Sequence, residues 1–288
     1  MRIAYLIGAY EHYNHLERLI KALDDKDVVF FIHINKKVEM PKNITNKGNI
    51  VFIKRIVVWW GTWSLQQMIL DLMTEAVRFK FDYYILLSGT HYPIRSNQFI
   101  YEKLKTGSEF MDIIKGFHSH KPEYRIKYYY FDCFDRRNRK SLRTKFFFAL
   151  EAVFRRIATK KHYPFSQIYS GHTWFALTHS CVSYILTFLQ HNPQYTRFFK
   201  TCFIPDESFI PTIIGNSEFA AKREGSLTYT DWSEKQSGPS AISEKHIELF
   251  KHQLEFDSPY GKYTPVFARK FTDKSSYIVK QIDEELRR

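Results

Sequence analysis

The N-terminal third of the chain alternates between short apolar runs and longer stretches in which apolar residues recur every three or four positions. RIAYLIGAY (2–10) is a dense run with β-branched and aromatic members, which predicts a buried strand. HLERLIKAL (15–23) has helical spacing and is closed by Asp24 and Asp25. VVFFIHIN (28–35) and NIVFIKRIVV (49–58) predict a second and a third strand on either side of a loop rich in Lys, Asn and Pro. WSLQQMILDLMTEAVRF (63–79) predicts an amphipathic helix and DYYILLSG (82–89) a fourth strand. This order implies an α/β fold, a mostly parallel central sheet flanked by helices. Ligands of such sheets bind beyond the carboxyl ends of the strands. The candidate site is therefore Tyr10, His33 to Lys37, Trp59 to Ser64 and Ser88 to Tyr92.

The second half is less regular, with helices expected over 97–105, 141–159, 179–190, 207–214 and 243–252. No internal repeat or flexible linker divides the chain, so 1–288 reads as a single domain. With 288 residues and 44% hydrophobic content it can bury a substantial core, and 26 Phe with 19 Tyr exclude a disordered chain. The net charge of +13 directs attention to anionic partners, among them nucleotide diphosphates, nucleic acid and acidic lipid headgroups. Cys133, Cys181 and Cys202 lack metal-ligand spacing and read as reduced. No signal-peptide core or membrane-spanning run is visible, so the expected location is the cytoplasm.

IPDESFIPTIIGNS (204–217) places adjacent carboxylates ahead of an apolar helix. Asp206 could serve as an N-cap, with Glu207 favouring the helix dipole. A carboxylate beside a cleft is also the group that takes a proton from an attacking sugar hydroxyl. The fourth strand ends in Ser88-Gly89-Thr90-His91, without the hard oxygen anions that would hold Mg²⁺ or Mn²⁺ there. Asp25-x-Asp27 precedes a strand and reads as a solvated turn. Without a metal, charge developing on a departing diphosphate needs fixed cations, a task that suits Arg269 and Lys270. Taken alone, that pair reads better as an exposed basic dipeptide on a C-terminal strand.

WWGTWS (59–64), ILLSGTHYPIRS (85–96), SGHTWFALT (170–178), PDESF (205–209), LTYTDW (227–232) and VFARKF (266–271) occur in this order along the chain. Together, over roughly 5–271, they resemble glycosyltransferase family 14, the core-2/I-branching β-1,6-N-acetylglucosaminyltransferases and peptide O-xylosyltransferases. The resemblance implies a GT-A type fold, a UDP-sugar donor, inversion at the anomeric carbon, and no metal or other cofactor. It implies Glu207 as general base. His33, Asn35, Trp60, Ser64, Arg269 and Lys270 then fall to the donor, and His91, Tyr92, Trp174, Asp206 and Trp232 to the acceptor. On this reading 1–110 is the nucleotide-sugar-binding half and 111–288 the acceptor and catalytic half. Asn35 and His91 stand where relatives usually carry Asp, and His172-Thr173 stands where they often carry Ser or Asp. Each Trp could instead belong to the core, and His91 could make a structural hydrogen bond. The expected donor is UDP-GlcNAc, with UDP-xylose the alternative. The expected partner is a glycan or lipid-linked oligosaccharide acceptor, as in surface polysaccharide biosynthesis.

RRNRKSLRTKFFFALEAVFRRIATKKHYPF (136–165) concentrates Arg and Lys around an apolar helix, which can lie on an anionic membrane face or pack on the body with its charges in water. A basic nucleic-acid-binding protein is the rival outside enzymes. Scattered charge and the lack of a recognised nucleic-acid motif speak against it. A catalytically dead sugar-binding relative is a third reading, opposed by the presence of Glu207, Arg269 and Lys270.

Overall fold

The computed structural model describes residues 1–45, 48–160, 162–234 and 238–288. Strands β1 (Ile3–Ala9), β2 (Val28–Ile34), β3 (Ile50–Phe52) and β4 (Tyr83–Ser88) form the parallel half of a seven-stranded sheet. A short strand, β5 (His91–Pro93), leaves the sheet after β4; β6 (Glu109–Lys115), β7 (Tyr169–Thr178) and β8 (Arg223–Glu224) then complete it. The spatial order is β3-β2-β1-β4-β7-β6-β8, with β7 antiparallel to both neighbours. The α/β architecture expected of a GT-A type fold is the one found.

Both faces of β1 are apolar because both are covered. Ile3, Tyr5 and Ile7 face a core that includes α1 (Tyr13–Leu23), while Ala4 and Leu6 face α2 (Trp63–Val77) on the other side. Each fully buried side chain of this kind contributes roughly 1.5–3 kcal/mol by leaving water, more than an exposed ion pair supplies. Burial on two faces makes the strands near-continuous apolar runs.

The third strand is shorter than expected. Only three of the residues in 49–58 pair as a strand, because residues 56–58 are tied down by side chains instead. His33 Nε2 accepts from the Ile56 N–H at 3.0 Å, Asn35 Nδ2 donates to the Val58 carbonyl at 2.9 Å, and Asn35 Oδ1 accepts from the Val58 N–H at 3.2 Å. The segment is thereby held at the carboxyl end of β2.

The second half adds α3 (Asn97–Leu104), α4 (Tyr124–Lys127), α5 (Leu142–Ile157), α6 (His179–His191), α7 (Pro193–Phe199) and α8 (Phe209–Gly215). The helix expected at 207–214 begins two residues later because Pro205–Glu207 forms a separate 3-10 turn. After β9 (Thr228–Thr230) come α9 (Glu244–His252), the hairpin β10 (Phe256–Ser258) and β11 (Gly261–Tyr263), then β12 (Phe267–Arg269) and α10 (Ser276–Glu285). Strand β12 lies between β5 and β9, with Arg269 opposite His91. The C-terminal basic pair is thus brought to the end of β4.

Segment 136–165 is not uniformly an exposed basic surface. Arg136 is buried, bonds the fully buried Glu151 through both terminal nitrogens and also donates to the Phe131 carbonyl. Lys160 is also buried, donating to the Thr201 carbonyl at 3.1 Å. These two cations hold α5 on the body, leaving its other face to solvent. Lys161 lies outside the described residues.

Candidate active site

Strand β7 is the backbone of the site. It runs antiparallel to β4, which sets His172, Thr173 and Trp174 beside the carboxyl end of the parallel strands. Close approach of β6 requires glycine at 171, where a Cβ would lie 1.9 Å from the Asp112 carbonyl oxygen. Next to it, His172 Nδ1 lies 2.8 Å from Asp112 Oδ2, and the His172 ring packs against Tyr260 with centroids 4.8 Å apart.

Thr173 reaches the turn that carries the two carboxylates. Its hydroxyl donates to Asp206 Oδ2 at 2.6 Å, in a pocket where burial pushes the Asp206 pKa up to about 6. Asp206 Oδ1 is buried without a hydrogen-bond partner. Glu207 points the other way and is half-buried. Its Oε2 accepts from Lys121 Nζ at 2.6 Å and from an Arg125 terminal nitrogen at 2.5 Å. Lys121 is itself buried, and desolvation pulls its pKa down from the usual lysine value, opposed by Glu207. Arg125 is oriented in turn by the His120 carbonyl, 2.6 Å from its other terminal nitrogen.

On the other side of Thr173, Trp174 carries the Arg269 guanidinium 4.9 Å from its ring centroid and meets the His91 ring edge-on at 4.4 Å. Burial draws the Arg269 pKa down to about 10, so it remains charged at neutral pH, and its Nε has no partner. Lys270 is 3.9 Å from Glu11. Arg137 stacks 5.0 Å over the exposed Trp60, which packs edge-on against Phe203 three residues before Asp206. Blocks far apart in sequence thus meet through short contacts: 59–64 with 203–207, and 205–209 through 172–174 with 91 and 269.

The remaining expected site residues differ in their surroundings. Tyr92 is buried in the core and its hydroxyl donates to the Asp283 carboxylate on α10 at 2.9 Å, leaving no polar atom for an acceptor. His91 is fully buried; its Nδ1 accepts from the Ser88 N–H at 2.9 Å, which places any ring proton of the neutral form on Nε2. Burial and the neighbouring Arg269 keep that ring neutral. His33 and Asn35 spend their side chains on residues 56–58, and Ser64 Oγ accepts from the Trp59 N–H at 2.9 Å. These three fix the backbone of residues 56–59 at the carboxyl end of β2. Trp232 lies just after β9 and is exposed, with Asp231 beside it bonded to His246 Nε2 at 2.9 Å.

Lys121, Arg125, Arg137 and Tyr260 are not identifiable as site residues from sequence. Lys121 and Arg125 carry no local signature, since their role exists only because the loop after β6 meets the 205–207 turn. Among the described residues no group of three His, Cys, Asp or Glu side chains is placed to hold a metal ion, and no helix is long and apolar enough to cross a membrane.

The family model described as Core-2/I-Branching enzyme matches residues 3–253. Xylosyltransferase 2 of Mus musculus is 26% identical over 251 residues, 82% of this chain and 27% of that protein. Xylosyltransferase 2 of Homo sapiens is likewise 26% identical, and xylosyltransferase 1 of Canis lupus familiaris 25% identical over 252 residues, 24% of its length. The chain spans about a quarter of the length of the curated relatives it matches.

Proposed function

Because this chain belongs to the Core-2/I-branching enzyme family, we propose that it transfers a sugar from a UDP-sugar to a glycan hydroxyl by a single inverting displacement. The supporting observation is that adjacent residues of β7 link two parts of the site: Thr173 bonds Asp206 in the turn that also carries the half-buried Glu207, and Trp174 stacks the Arg269 guanidinium. Lys121 and Arg125 both hold Glu207 Oε2, so Oε1 is the oxygen offered to the acceptor hydroxyl. As that hydroxyl oxygen forms its bond to the anomeric carbon, its proton passes to Glu207. The anomeric C–O bond to phosphate breaks and its electron pair leaves on UDP. Arg269 and Lys270 meet the charge that develops on the diphosphate, with the exposed Arg137 as a further cation near the mouth. Trp60, Trp174 and Trp232 offer ring faces to the apolar C–H patches of sugars.

Fixed cations in place of a metal give an enzyme whose rate is indifferent to chelators. N-acetylglucosamine is the donor sugar suggested by the branching enzymes; UDP-xylose is the second reading, favoured by the matched xylosyltransferases. The test is UDP release from a panel of UDP-sugars with and without EDTA. One donor turned over at an unchanged rate in EDTA supports the proposal. Turnover restored only by Mn²⁺ or Mg²⁺ would remove the metal-free mechanism, and failure to bind any UDP-sugar would remove the donor class.

A further inference from the structure

Helix α5 presents an apolar stripe to solvent. Leu142, Phe146, Val153 and Ile157 are 83%, 62%, 53% and 73% exposed, and Ala149 is exposed between them. Their spacing of four, three, four and four places all five on one side of a helix. Arg143 flanks the stripe on one side and Lys145 with Arg156 on the other, all exposed; Arg139 and Lys140 precede it. The helix has one carboxylate, Glu151, which faces the opposite way, fully buried against Arg136. Hence the exposed face is apolar along its centre and cationic at both edges.

We propose that this face seats the protein on an anionic lipid surface, with the five apolar residues entering the headgroup boundary and Arg143, Lys145 and Arg156 meeting lipid phosphates. Charge decides the occupant. A second copy of the same face would oppose like charges with no acidic group on either stripe to pair them, whereas an anionic bilayer satisfies both the stripe and its edges. The position of the helix gives the contact a use. Its inner side packs on Phe131 and Phe134, Arg136 continues from there to Phe203, and Phe203 touches Trp60 and leads directly into Asp206 and Glu207. Seating α5 therefore brings the cleft close to the bilayer, as an acceptor carried on a lipid requires; that last step rests on the proposed transferase activity, while the docking does not. Arg136 and Lys160 take no part, being buried.

Co-sedimentation of the full chain with vesicles of pure phosphatidylglycerol or pure phosphatidylcholine tests the docking. Binding to the anionic vesicles, little to the zwitterionic ones, and a loss of more than about tenfold in Phe146→Glu/Val153→Glu is expected. Both substitutions are at solvent-exposed positions, and an unchanged circular dichroism spectrum checks the fold. The charge arm is Arg143→Glu/Lys145→Glu/Arg156→Glu, also expected to release the vesicles. Wild-type indifference to both vesicles, equal binding by the variants, or concentration-dependent dimerisation abolished by Phe146→Glu would each overturn the proposal. UDP-sugar binding measured on the same variants separates this docking from the cleft, since it should be unaffected.

Discussion

Asp206 and Glu207 are neighbours in sequence with opposite environments, one buried and one partly exposed between two cations. Asp206 is buried against Thr173 with its pKa raised from 3.8 to about 6, so it opposes folding when ionised. As the pH rises from about 4 through 6 the unfolded chain loses this proton before the folded one, and stability is lost across that window. Asp206→Asn is expected to be more stable than wild type by on the order of 2 kcal/mol at pH 7.5 and about equal to it at pH 4. Urea denaturation at the two pH values reads the difference, and an equal effect at both would contradict the assignment. Glu207 is the reverse case, a partly exposed carboxylate fixed by two cations. Arg125→Met removes one of them and leaves Lys121 alone on Oε2; UDP release should fall by about tenfold with UDP affinity retained, which steady-state kinetics with calorimetry would show.

Among the elements, those of the first half are legible in the sequence because their periodicity is strong. The strand at 28–34 and helices α1 and α2 lie where the apolar pattern puts them, since sequential βα units bury themselves locally. The third strand is shorter than its pattern suggests: VFIKRIVV has β-rich composition, yet His33 and Asn35 bond to it in place of a strand partner. Strands β6 and β7 are not apparent from the pattern. EFMDIIK carries Glu109 and Asp112, buried acids whose partners Thr178 and His172 lie on β7, and no local pattern announces such pairing. Of the candidate site, the ordered blocks single out Glu207, Arg269 and Trp174 as candidates, whereas the burial of Tyr92 against Asp283 is not legible because the block does not say which way each strand residue faces. Gly171→Ala forces a Cβ onto the Asp112 carbonyl and should destabilise the fold by roughly 2–4 kcal/mol, read by denaturant titration. Glu151→Ala leaves Arg136 buried and unpaired, at a cost of about 3–5 kcal/mol, and should loosen α5, visible as faster amide exchange over 142–157.

For the whole molecule, the seven-stranded sheet takes strands from both halves of the chain, and the C-terminal β12 pairs with β5 and β9 in a second, three-stranded sheet, so residues of both halves meet beyond the end of β4. Three buried histidines lie in the interior: burial lowers the pKa values of His15 and His33 to about 4 and holds that of His91 well below its usual value. Each favours the folded state fully above about pH 6.5, and that stability is lost as the pH falls from there toward 4, because the unfolded chain takes up the proton first. Thermal melts of wild type should therefore drop steeply below pH 6, and His33→Gln should lessen that slope while weakening the fold at pH 7.5. In the proposed transfer, the carboxylate at 207 takes the acceptor proton in a cleft whose cations hold the diphosphate. The most direct measurement compares Glu207→Gln with wild type in UDP release from the identified donor and in UDP binding by calorimetry. Turnover reduced by about 100-fold or more with UDP affinity nearly unchanged is the predicted result; near-normal turnover in the glutamine variant would contradict it.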